Sequence, residues 1–210
     1  DRLGTVNGLP AGVHIGPDAS LIEQVAGVDL VVSAASFFQS GPQAAALLVD
    51  AVSRHAPELV SARAVVDAYG GIGLFAATAV PSEADVWVVE TSRAALADAR
   101  INLDGRKGRS EFVQSEFGRW RPTRGDLRPE VVIADPARTG LGRPGVSAVV
   151  RAQPEVLVLV SCDPVSFARD AALLEKEGFR LERCEVFDLF PGTHHVEVVS
   201  RFVRAGTLAS

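Results

Sequence analysis

Asp67-Ala68-Tyr69-Gly70-Gly71-Ile72-Gly73 follows an apolar run that begins at Ala64, and its glycines permit a tight strand-to-helix turn where a ligand can approach backbone N–H groups. Seventeen residues past Gly73 a second apolar run ends at Glu90, a carboxylate able to accept hydrogen bonds from both hydroxyls of a ribose. Together they suggest an adenosine-bearing cofactor. Gly71-Ile72-Gly73-Leu74-Phe75-Ala76 also fits the dinucleotide pattern G-x-G-x-x-[G/A], so the glycines leave a dinucleotide and S-adenosylmethionine both open. Asp135-Pro136-Ala137-Arg138-Thr139-Gly140 places a carboxylate and a stiff loop after a third apolar run; taken alone, such an Asp-Pro is more often a turn than a site. In Val160-Ser161-Cys162-Asp163-Pro164 a thiol again stands between strand and helix, where a helix amino terminus would favour its thiolate, although an isolated free cysteine is more often simply buried. Glu197 sits beside β-branched residues, an awkward place for a carboxylate without a task or partner. Cys184, inside an expected strand, is assigned to packing, and His194 and His195 to loop and strand edge, being too close in sequence to share one metal comfortably.

The elements that must position these groups alternate. Ala64 to Asp67, Val86 to Val89, Val131 to Ala134 and Val156 to Val160 read as buried parallel strands, with helices at Leu74 to Val80, Ser92 to Leu103, Val146 to Ala152 and Val165 to Glu177 between and after them. A further helix is expected from Gln43 to His55, ending before Pro57. This pattern implies a doubly wound, mostly parallel α/β sheet, whose ligands bind at the carboxyl edge. Arg180 to Phe187 and His195 to Val203 have no helix between them and would close that sheet with an antiparallel edge. Residues 1 to 33, with turns such as Asn7-Gly8-Leu9-Pro10, read as small strands, the tail of a preceding β-rich unit.

With 210 residues, 47% hydrophobic and 22% charged, the chain can bury a full core, and no apolar run reaches the roughly 18 residues needed to cross a bilayer. No charged-then-apolar leader opens it, so the cytoplasm is the expected compartment. Two cysteines and four scattered histidines make iron–sulfur and structural-zinc sites poor readings, and no metal is expected. The chain holds no methionine and opens on Asp1, which suggests a longer parent protein. A net charge of −5 argues against wholesale coating of a polyanion, yet residues 100 to 128 carry eight arginines and lysines against four carboxylates. Such a stretch is ordinarily a solvated face and gains interest only beside a nucleic-acid site.

Taken in order, Phe37-Phe38-Gln39, Asp67-x-Tyr69-x-Gly71-x-Gly73, Glu90, Asp135-Pro136-x-Arg138-x-Gly140, Ser161-Cys162-x-Pro164 with Ala168-Arg169-Asp170, and Phe190-Pro191-x-Thr193-x-His195-Val196-Glu197 resemble the RNA uracil-5-methyltransferases. These enzymes use S-adenosylmethionine to make 5-methyluridine in transfer and ribosomal RNA. The resemblance runs from Ser36 to about Phe202 and implies a Rossmann-like class I methyltransferase domain over residues 36–210, preceded at 1–35 by a remnant of a β-rich central domain. It implies Cys162 as nucleophile and Glu197 as base. Gln39, Tyr69, Gly71, Gly73, Glu90 and Asp135, and more weakly Glu116, would line the cofactor and uracil pocket, with Arg138 gripping RNA phosphate and Gln39 and Asp135 facing the uracil edge. The implied chemistry is thiolate addition to carbon 6 of uracil, methylation of the enolate at carbon 5, and loss of the carbon 5 proton to a base. Members also tend to carry an amino-terminal RNA-binding barrel, absent from this sequence.

The sequence departs from the family at four places: Gly41 for an asparagine, Gly70 for a cysteine, Ala137 for a second proline and Asp163 for an asparagine. Asp163 is expected to disfavour the neighbouring thiolate. Two other readings compete: a non-catalytic RNA-binding module that kept the cofactor fold, and a nicotinamide-dependent oxidoreductase, which would leave Cys162 and Glu197 without roles.

Overall fold

Short runs of valine, isoleucine and alanine form the strands, because branched side chains pack well on a pleat and a strand buried on both faces needs no polar alternation. The computed structural model describes residues 5–6, 9–10, 19–122, 128–189, 192–193 and 196–206. Its elements, in chain order, are β1 (Thr5–Val6), β2 (Leu9–Pro10), β3 (Ser20–Val25), β4 (Val28–Ser33), α1 (Pro42–His55), β5 (Ala64–Ala68), α2 (Leu74–Thr78), β6 (Asp85–Glu90), α3 (Arg93–Asn102), β7 (Ser110–Gln114), β8 (Val131–Ala134), α4 (Gly142–Ala152), β9 (Val156–Ser161), α5 (Pro164–Lys176), β10 (Phe179–Phe187) and β11 (Glu197–Arg204). Short 3-10 turns occupy Pro57–Ser61 and Phe117–Arg119. Phe190, Pro191, His194 and His195, most of residues 1 to 18, and Arg124 and Asp126 of the basic stretch lie outside the described residues.

Seven strands form one sheet in the order β10-β11-β9-β8-β5-β6-β7. The five from β9 to β7 run parallel, and β11 runs against both its neighbours. The closing pair is antiparallel as expected, but the last strand inserts between β9 and β10, so β10 forms the rim. That insertion corrects the reading of Cys184 as a packed residue: it lies in β10 but is exposed. The rim strand β7 at the other end is absent from the sequence reading. Its Ser110, Glu111 and Gln114 interrupt the apolar pattern, as a strand paired on one side only can tolerate.

One face of the sheet packs against α1, α2 and α3, through residues such as Leu48, Phe75 and Leu96; the other packs against α4, α5 and the turn at Phe117. The β3–β4 hairpin joins the first of these layers, with Val25, Leu30 and Val32 in the same core. Polar side chains of α3 fix it there. Asn102 accepts from the Val31 N–H at 2.7 Å and donates to the Val31 and Ile72 carbonyls at 3.0 Å, while Asp98 accepts from the Ser33 N–H at 2.9 Å and the Ser36 hydroxyl at 2.6 Å. The hairpin, the glycine turn and the start of the Phe37-Phe38-Gln39 segment are thereby tied to one helix. No helix among the described residues is long and apolar enough to cross a membrane.

Candidate active site

Side chains along a strand alternate between faces, so residues two apart share one. Val65, Val88, Ile133, Val160 and Val199 all point into the layer of α1 to α3. Counting on by two places Asp67, Glu90, Asp135 and Cys162 on that face, at or just past the carboxyl ends of β5, β6, β8 and β9. Glu197 reaches the same edge from the opposite direction. Because β11 is antiparallel its first residues stand where its neighbours end, and Val198 pairs with Ser161. A carboxyl from the far end of the sequence is thus set beside the thiol.

All of these but Asp67 border a cavity of about 560 Å³, lined by Gln39, Tyr69, Gly71, Glu90, Asp135, Arg138, Cys162 and Glu197, with Phe37, Phe38, Ile72, Leu74, Phe75 and Ala95 among its apolar walls. Its size suits a nucleoside-sized ligand. At one end Glu90 accepts from the Gly71 N–H through Oε2 at 3.1 Å, and through Oε1 from the N–H groups of Thr91 and Ser92 at 2.6 and 2.7 Å. Oε2 keeps acceptor capacity toward the cavity, and a Cβ placed on Gly71 would meet no atom within 4 Å, so the backbone there is open to a ligand. At the other end the Gln39 amide donates to Asp135 Oδ2 at 3.1 Å.

Burial sets the protonation of this edge. Glu197 is pushed up to about 7 by desolvation, and its Oε2 is buried with no hydrogen-bond partner among the described residues. Desolvation, then the charges of Glu197 and Asp67, raise Asp135 to about 8. The Cys162 thiol is also pushed up, by burial first and by Glu197 and Asp135 next, which outweighs the pull of its own backbone hydrogen bond and of Arg138. This corrects the expectation of a thiol acidified by the following helix. The Asp163 carboxylate, expected to act on that thiol, accepts from the Ser166 N–H at 2.7 Å and caps α5.

Not every expected residue reaches the cavity. Gly73 lies outside its lining: with φ of 79° it begins α2, and a Cβ there would stand 2.6 Å from Leu103, so it serves the packing of α3 against the turn. Glu116 also lies outside and pairs with Arg119 at 3.1 Å. Tyr69 contributes to the wall from a positive φ of 59°, while its ring packs edge-on against Phe117 in the opposite layer. The basic stretch is largely spent internally. Arg106 donates to the carbonyls of Ala76, Val80, Pro81 and Ala84, Lys107 pairs with Glu83 at 2.8 Å, and Arg100 and Arg109 stack over Phe112 and Trp87. Arg138 is exposed at the mouth. One group named in the glycine-turn motif was given no role there: Asp67, fully buried and raised to about 7 by desolvation, accepts from the Ala76 N–H at 3.0 Å and holds α2 to the sheet. Its signal was a carboxylate closing an otherwise apolar strand.

A seven-stranded sheet with one reversed strand, and a cavity at its carboxyl edge between a glycine turn and a strand-end acid, define a class I methyltransferase fold. The same fold is found in the magnesium protoporphyrin IX methyltransferase of Synechocystis, at a TM-score of 0.57 and 14% identity over 75% of this chain and 82% of that one. Within the class the similarity is specific: residues 114–203 match the tRNA (uracil-5-)-methyltransferase family. The Pyrococcus abyssi tRNA (uracil-54, C5)-methyltransferase, solved with S-adenosyl-L-homocysteine, superposes with a TM-score of 0.74 at 32% identity, over 88% of this chain and 44% of that one. An uncharacterized RNA methyltransferase of Thermotoga maritima is 35% identical over 80% of this chain and 38% of its own length, and one of Corynebacterium diphtheriae 33% identical over 83% and 44%. The chain therefore spans about two fifths of the length of the curated relatives it matches.

Proposed function

We propose that the chain is the catalytic domain of an S-adenosylmethionine-dependent RNA uracil-5-methyltransferase, acting on a uridine of transfer or ribosomal RNA through a covalent bond from Cys162 to carbon 6. The observation that carries this reading is the convergence of a thiol and an unpartnered, desolvated carboxyl, Cys162 and Glu197, on the cavity that also holds the glycine turn and Glu90. S-adenosylmethionine, when bound, supplies an electrophilic methyl group. Glu90 and the open backbone at Gly71 would hold its ribose, and Phe75 and Ile72 would give it an apolar wall.

Cys162 rests as a thiol, gives its proton to solvent and bonds to carbon 6 of the target uracil as the thiolate, the carbon 5–carbon 6 electron pair moving toward the carbonyl oxygen at carbon 4. Asp135, which keeps its proton at neutral pH, donates a hydrogen bond to the carbonyl oxygen where enolate charge develops, and Gln39 orients it. Carbon 5 thereby becomes nucleophilic and would take the methyl group, the sulfonium–methyl bond breaking to leave S-adenosylhomocysteine. Glu197, near half-ionised at neutral pH, then takes the proton from carbon 5, and the thiolate leaves. The target base must leave its stack to enter, and Arg138 holds the phosphate beside it. Residues 1–35 are the end of a preceding β-rich unit, residues 36–210 the catalytic domain, and an amino-terminal RNA-binding domain completes the grip on RNA.

The test is incubation with S-adenosylmethionine and RNA carrying 5-fluorouridine, whose fluorine blocks proton removal, followed by intact mass. An adduct with wild type and none with Cys162→Ala is expected. Absence of adduct across transfer and ribosomal RNA, with S-adenosylhomocysteine binding intact, would favour the non-catalytic module. Binding of NAD in place of S-adenosylhomocysteine would favour the oxidoreductase.

A further inference from the structure

We propose that Arg169 and Asp170 are a positioning pair that fixes the turn carrying Arg138 at the mouth of the cavity, so that this arginine meets RNA phosphate in one place. The inference rests on the RNA-methyltransferase reading above. Asp170 is fully buried in α5, the helix that starts two residues after Cys162. Its Oδ2 accepts from the Leu141 N–H at 2.6 Å and its Oδ1 from the Gly142 N–H at 3.0 Å. Arg169 donates to Asp170 Oδ1 through Nε and Nη2 at 3.0 and 2.8 Å, and through Nη2 to the Thr139 carbonyl at 2.6 Å. Thr139, Leu141 and Gly142 are thus all tied to the helix that follows the thiol.

What is tied is the exit of a β-turn. Gly140 donates to the Ala137 carbonyl at 2.7 Å, leaving Arg138 and Thr139 as its central residues. Gly140 has φ of 68°, and a Cβ there would stand 2.2 Å from Asp170 Oδ2 and 2.8 Å from Arg169 Nη2. Only glycine lets the turn close on the pair. Arg138, at the apex, makes no ion pair among the described residues, whereas Arg169 is committed to Asp170. Asp135, at the entry, is anchored separately, its N–H donating to the Ala68 carbonyl of β5 at 3.3 Å. The pair therefore controls Arg138 and leaves the groups deeper in the cavity in place.

Steady-state methylation by the protein, in the longest form its source encodes, tests this with Arg169→Gln, Arg138→Ala and the double variant. Arg169→Gln, whose amide at a half-exposed position can still donate to Asp170, is expected to raise the KM for RNA about five- to tenfold and lower the salt dependence of RNA binding by about one ion, with kcat and the KM for S-adenosylmethionine within about twofold. Adding it to Arg138→Ala is expected to cost nothing further, since both remove one contact. A role confined to holding α4 would move kcat, both KM values and the melting temperature together, and would add to Arg138→Ala; that result, or an unchanged KM for RNA in Arg169→Gln, overturns the proposal. A wild type that methylates no RNA overturns the functional reading and this inference with it, whereas an active wild type with an unmoved variant overturns the inference alone.

Discussion

The two edges of the central sheet hold cavities of nearly equal size and opposite character. At the carboxyl edge, about 560 Å³ is walled by phenylalanines and by the carboxyls of Glu90, Asp135 and Glu197; Glu197 buries an oxygen with no partner among the described residues, as does Asp67 outside the lining. At the amino edge, about 550 Å³ lies among Arg63, Arg128, Glu130, Glu155 and Arg204. There four of the five charges have local partners. Glu130 accepts from the N–H groups of Arg63 and Ala64 at 2.5 and 3.3 Å and from Arg63 Nε at 3.2 Å, Arg128 donates twice to the Gln153 carbonyl, and Arg204 lies over Phe179. Volume alone therefore does not make a site. What separates the edges is desolvated acid left without a partner, a cost the fold bears at one edge only.

The largest expected effect in breaking that contrast is at the thiol. Cys162→Ala should reduce methyl transfer by at least about 10³-fold while leaving S-adenosylhomocysteine affinity unchanged by calorimetry. Next, Glu197→Gln should lower turnover about 10²- to 10⁴-fold and let a Cys162–RNA adduct accumulate on unmodified RNA, visible by intact mass. An adduct that still resolves at the wild-type rate would remove Glu197 as the base.

A smaller effect is expected from pH. Asp67, Asp135 and Glu197 start from ordinary values of 3.8, 3.8 and 4.5 and are raised in the folded chain to about 7, 8 and 7. The folded state thus binds more protons than the unfolded one between about pH 4 and 8, and stability is lost as pH rises through that window. Thermal melts should fall by about 5 °C or more from pH 5 to pH 8, and Asp67→Asn, which keeps an acceptor for the Ala76 N–H, should flatten the slope. A flat profile in the wild type would mean that these carboxyls ionise freely. The smallest change is expected at the amino edge. Glu130→Gln should cost about 1 kcal/mol of stability and leave catalysis alone, sharpening the difference between the edges.

Much of this was legible in residue order. β-branched runs at Val131 to Ala134 and Val156 to Val160 fix strands because nothing else buries such side chains on both faces, and the helices between them force a parallel sheet. Strand β7 was not legible, since a rim strand with Ser110 and Gln114 has no periodic signal of its own. Cys184 misled for a related reason: a strand can be read locally, but whether it is central or at the rim depends on where the last strand inserts. The basic stretch misled because arginines written as surface charge, Arg106 above all, were drawn into carbonyl-rich turns.

By itself the sequence determined which groups end the strands, Glu90, Asp135 and Cys162 among them, and that they share one edge, because alternation and parallel order are local and repetitive. The resemblance named Glu197 for the same site, but the tertiary structure decided how it gets there, since the reversed insertion of β11 between β9 and β10 turns the start of a strand toward the ends of the others. It also decided the acidity of the site. Proximity to a helix terminus argued for a lowered thiol, but burial among carboxyls raised it, because desolvation depends on everything packed around a group and not on its neighbours in the chain.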